Sequence, residues 1–102
     1  MRLLTLQTVL VAVARDDSSR AGIEAGVALA RAAGAALHAV HVTDDPTVTR
    51  ESLAQSTLQG VDASIHVVPG RAANAIRSVA DRLMADVIVL GPHRGGNDAR
   101  RG

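Results

Sequence analysis

The sequence contains no cysteine, no aromatic residue and no lysine. Without cysteine there are no disulfides, no thiolate metal sites and no thiol nucleophile. Without phenylalanine, tyrosine or tryptophan, any core must be built from alanine, valine, leucine and isoleucine. Without lysine, a Walker-type phosphate lysine and a Schiff-base lysine are both excluded; the eleven non-histidine bases are all arginine. Charge of one sign is lacking too. Ten acids nearly cancel those bases to leave +1, so net charge makes no case for nucleic-acid binding.

What remains is enough for one small domain. The chain has 102 residues, and 47% of them are hydrophobic, which supports a single packed core. No run is long and apolar enough to span a membrane. Met1–Ala14 (MRLLTLQTVLVAVA) imitates a secretory signal, with an early arginine, an apolar run and Ala12-x-Ala14 at its end. We read it instead as a short lead into a first strand, because the pattern that follows needs a core strand there.

Thr8–Ala14 is continuous, apolar and valine-rich, as expected of a strand covered on both faces. Arg15–Ser19 carries turn and cap chemistry, with Ser18 or Ser19 placed to accept a hydrogen bond from a helix-start amide. A helix is predicted over Ser19–Ala33, with Ile23, Val27 and Ala30 on one face and Gly22 and Gly26 allowing close approach to a sheet. Gly34 falls where a left-handed cap is expected. Ala36–Val42 reads as a second strand. Thr47–Gln59 reads as a short, poorly anchored helix, Ser64–Val68 as a third strand, and Ala72–Met84 as the clearest helix. Asp86–Leu90 is a fourth strand. Strict alternation of this kind predicts an α/β fold: an open parallel sheet with right-handed crossovers and helices on both faces.

Each chemical motif has a competing structural reading. Asp16-Asp17 after the first strand is the acidic pair of a phosphoacceptor receiver, but no acceptor aspartate follows the third strand and there is no lysine, so helix-capping acids are the better reading. His38 and His41, with His66 as a third ligand, invite a metal. Residues three apart on a strand point to opposite faces, however, so local hydrogen bonds are expected to satisfy these histidines instead. No serine sits in a Gly-x-Ser-x-Gly elbow. Gly70-Arg71 at a helix start could meet an anion, but a glycine that turns strand into helix explains it more simply. Ligands of open parallel sheets bind where strand order reverses. That points to the loops after strands one and four, Ala14–Ser18 and Gly91–Gly96.

Two segments carry a family resemblance. TVLVAVARDDSSRAGIEAGVALARAAGAALHAVHV (Thr8–Val42) resembles the amino-terminal half of the universal stress protein family. VVPGRAANAIRSVADRLMADVIVLGPHRGG (Val67–Gly96) resembles that family's strand-glycine-helix unit followed by its fourth strand. The resemblance implies a Rossmann-like sheet in the order 3-2-1-4-5, dimerisation through the last strand, a cytoplasmic role in stress response without catalysis, and in many members ATP binding. Ala14 stands where nucleotide-binding members carry an aspartate. In the family's G-x2-G-x9-G-[ST] pattern, Gly91 matches the first glycine, Arg94 occupies the second, and Gly95 comes one place late; the distal Gly-[Ser/Thr] would fall beyond Gly102. The resemblance therefore implies one domain over residues 1–102, C-terminally incomplete, with strand order 3-2-1-4 and the family's fifth strand missing. Its nucleotide site would be Val13, Ala14, Arg15, Val42, Leu90, Gly91, His93, Arg94 and Gly95. We expect weak or no nucleotide binding there, with no cofactor required and an ATP or AMP sensor as the alternative. A partner, a second copy or another protein, is expected at the exposed sheet edge, with neither membrane nor nucleic acid as partner. His93 alone is too little for an adenylyl-transferring enzyme.

Overall fold

The computed structural model describes residues 6–14 and 17–90. In chain order the elements are β1 (Thr8–Ala12), a 3₁₀ turn (Asp17–Ser19), α1 (Arg20–Ala33), β2 (Ala36–Val42), α2 (Arg50–Ala54), β3 (Ser64–Val68), α3 (Ala72–Leu83) and β4 (Val87–Leu90). The four strands form one parallel sheet in the order β3-β2-β1-β4; the alternation of elements predicts the parallel sheet, and the resemblance implies the order. Strand β1 therefore sits between β2 and β4, and Val9, Leu10 and Val11 are buried on both faces. That double burial is why its apolar residues run without alternation.

The path explains where the helices lie. The chain steps from β1 outward to β2 and β3, then returns across β1 to place β4 on the far side. Right-handed crossovers that reverse direction must put their helices on opposite faces. Accordingly, Ile23 and Ala30 of α1 and Leu53 of α2 pack on one face with Val9, Val11, Val13 and Ala39. Val79 and Ala80 of α3 pack on the other with Leu10 and Val40.

Local chemistry sets the element ends. Gly34 closes α1 in the left-handed conformation, φ 67°, as expected. At the end of α3 the same role falls on Met84, φ 56°, a non-glycine residue whose side chain is 81% exposed. The expected helix over Thr47–Gln59 contracts to Arg50–Ala54. Thr49 starts it with a reciprocal capping box to Ser52, and a series of turns follows. It is better anchored than its polarity implied, because Val48, Leu53 and Leu58 are all buried. Ser19 precedes α1 but makes no cap bond to it.

The sheet is also tied at its lower end. The Asp86 carboxylate accepts the Gln7 N–H at 2.8 Å and the Thr8 N–H at 3.0 Å, while the Asp86 N–H donates to Thr8 O at 2.9 Å. These bonds align β4 with β1 before the ladder begins.

Candidate functional site

The strand order reverses between β1 and β4, so the crevice beyond their carboxyl ends is the site that the topology marks. Ala12 and Leu90 are register partners at the ends of those strands. Val42 ends β2 next to them, paired with Val68 of β3. Of the expected site residues, Val13, Ala14, Val42 and Leu90 come together around this end of the sheet. Val13 is buried, Ala14 and Val42 are half-buried, and Leu90 is exposed. Arg15, Gly91, His93, Arg94 and Gly95 lie outside the described residues.

The β1 end leaves its ladder in a defined way. Strand β1 closes at Ala12, two residues earlier than expected. The Val13 N–H still donates to Val40 O at 2.9 Å. The Val13 carbonyl accepts from His41 Nδ1 at 2.8 Å. A carbonyl cannot donate, so Nδ1 carries the hydrogen of this bond. The ring's Nε2 is buried and has no hydrogen-bond partner among the described residues. The next residue, Ala14, donates its N–H to Ser19 Oγ. Two successive backbone polar groups of the loop are thus held by protein side chains, and Ala14 offers only a methyl group in place of a polar acceptor.

His41 and Ser19 are the residues that sequence reasoning did not assign to this site. Ser19 was expected as a helix cap; it turns back to hold Ala14 instead. His41 was expected to be satisfied locally, and on one ring nitrogen it is. Alternation along β2 was the signal available: His41 falls on the same face as Ala39, towards α1, whereas His38 falls with Val40 on the α3 face. The two histidines accordingly do not converge. His38 pairs with His66 across the β2–β3 seam at 3.0 Å. Among the described residues no group of three or more His, Asp or Glu could hold a metal.

The β3–α3 connection resolves as a turn. Gly70 has φ 104°, a conformation that favours glycine, and its N–H donates to Asp44 Oδ1 at 3.1 Å. That amide is therefore engaged by a carboxylate, which fits a turn glycine and not an anion cradle. A separate open groove runs along α1 between Arg20, Glu24 and Arg31 on one side and Gln59 and Asp62 on the other. It reaches the beginnings of β2 and β3 and not their carboxyl ends, so it is distinct from the topological site.

Comparison with known proteins agrees with this architecture. Residues 5–60 match the model of the universal stress protein family. Among curated proteins none matches. A universal stress protein from Archaeoglobus fulgidus DSM 4304 superimposes with a TM-score of 0.70 at 22% identity over 84% of this chain. This chain spans only 33% of that one. Protein Rv1636 from Mycobacterium tuberculosis H37Rv gives 0.67 at 25% identity, covering 88% of this chain and 74% of its own. A second structure of a universal stress protein from Archaeoglobus fulgidus gives 0.63 at 18% identity, with 82% and 74% covered.

Proposed function

The chain belongs to the universal stress protein family, and from that premise we propose that it acts in stress response by association and binding, not by catalysis, with weak or no affinity for nucleotides. The observation that carries this reading is the β1 end. The Val13 carbonyl is already bonded to His41, and the Ala14 N–H to Ser19. A nucleotide docking here would meet a methyl side chain and would have to displace internal hydrogen bonds, each worth about 0.5–1.5 kcal/mol net. In its place the protein offers an edge. Among the described residues β4 pairs only with β1, and its Ile88 and Leu90 side chains are exposed. A strand with free backbone groups and apolar side chains is a template for pairing. We assign it to a second copy of this chain, or to another protein partner, in the cytoplasm.

One observation favours the second reading, an ATP or AMP sensor: the crevice at the β1/β4 reversal is the default ligand position of an open parallel sheet. Titration calorimetry with ATP and with AMP separates the two. Weak or undetectable heat is expected for both; saturable binding in the micromolar range by either establishes the sensor instead.

A further inference from the structure

His38 on β2 and His66 on β3 share the sheet face that α3 covers. In the parallel register His38 stands opposite Ser64, and His66 opposite Val40. The two histidines are therefore diagonal neighbours, and the small Ser64 side chain leaves His38 room to lean across. Their nitrogens, His38 Nδ1 and His66 Nε2, are 3.0 Å apart. The ring centres are 5.2 Å apart and the planes differ by 26°. That separation is close to the largest that such an N···N contact permits, so the two nitrogens lie between the ring centres. The rings meet nose to nose in a hydrogen bond and do not lie over one another.

Such a contact holds one hydrogen. One ring donates and the other must present a lone pair. A first added proton can sit on a far nitrogen and leave the bond intact, even charge-assisted. A second must go onto the facing lone pair, and then two N–H groups oppose each other across the same gap. We propose that the His38–His66 pair is a proton-gated latch on the β2–β3 seam, closed while at most one imidazole is charged and open when both are.

The surroundings work in the same direction. Burial disfavours a charged His66, followed by the fields of His38 on β2, Arg82 on α3 and Arg50 at the start of α2, and together these hold it below the ordinary value of 6.5. All three neighbouring charges have one sign. Glu51 of α2 and Asp81 of α3 are exposed to solvent and do not offset them. Because folding lowers this value, stability is complete above the unfolded-state value and declines as pH falls from there towards the folded one. Among the described residues strand β3 is an edge of the sheet, so opening the seam releases it without disturbing β1 and β4.

Histidine-ring NMR of the whole chain between neutral and acid pH tests the latch. The pair should titrate in two coupled steps, with a through-bond N–N coupling lost at the lower step. At that step, amide exchange at His66 and Val68, whose N–H groups face β2 in the parallel ladder, corrected for its intrinsic pH dependence, should rise about tenfold or more while Leu10 and Val11 stay protected. In His66→Gln the side-chain amide can donate to or accept from His38 in either charge state, so the acid step should disappear. Two independent titrations near the ordinary histidine range, or an unchanged acid step in H66Q, overturn the proposal. If H66Q does not fold, the reciprocal His38→Gln and the wild-type ring titration decide it.

Discussion

Gly26 of α1 lies directly against Val11 of β1, so close that a β-carbon on Gly26 would overlap Val11 Cγ2. The helix backbone rests on the central strand, and both residues are buried. Gly26→Ala should destabilise the fold by about 1–3 kcal/mol despite its better helix propensity, because overpacking outweighs the propensity gain. Urea denaturation measures this. Val11→Ala in the same chain should recover part of the loss, since the two sites share one contact.

Asp86 predicts a pH dependence at the other end of the sheet. Its carboxylate accepts the Gln7 and then the Thr8 amide, which holds its pKa below the ordinary 3.8. A depressed carboxylate contributes stability above its unfolded value and loses it as pH falls through the folded one. The melting temperature should therefore drop more steeply below about pH 4 in the wild type than in Asp86→Asn, which cannot titrate. An identical acid limb in both would show that these amide bonds contribute nothing.

His41 holds the β1 end through the Val13 carbonyl. His41→Phe keeps a ring in the buried position but leaves that carbonyl without its donor, at an expected cost of about 1–3 kcal/mol. Hydrogen exchange should localise the effect to Val13 and Ala14.

Met84 closes α3 with φ 56°, where an L side chain is strained. Its side chain is exposed, so little packing is lost on truncation. Met84→Gly should stabilise the protein by up to about 1 kcal/mol, relief of strain exceeding the added chain entropy. A lower melting temperature would contradict this.

Ile88 bears on the proposed association. It is 41% exposed on the edge strand β4. Ile88→Arg should weaken self-association by about tenfold or more while leaving the circular dichroism spectrum unchanged, as a charged edge resists pairing. Sedimentation equilibrium reads the first and a far-ultraviolet spectrum the second.

The sequence by itself determined the alternation of elements, and through it the sheet. The unbroken valine-rich run at Thr8 marks a strand buried between layers, the run at Asp86 marks β4, and the i, i+3, i+4 spacing of Ile76, Val79, Ala80 and Leu83 marks α3. These signals are local: each depends only on neighbours a few residues away. Gly34 announced its cap for the same reason. Only the tertiary structure decided the contacts that join distant positions. Ser19 could cap a helix or hold Ala14; the choice depends on where the β1 end turns. His38 could face His41 or His66; strand alternation excludes the first, but only the β2–β3 register creates the second. The floor of the crevice became visible through Val13, Ala14, Val42 and Leu90 in the same way. Hydrophobic period encodes which face of an element is buried. It does not encode which polar atom on another element will meet it, because that is settled by register and packing across the whole sheet.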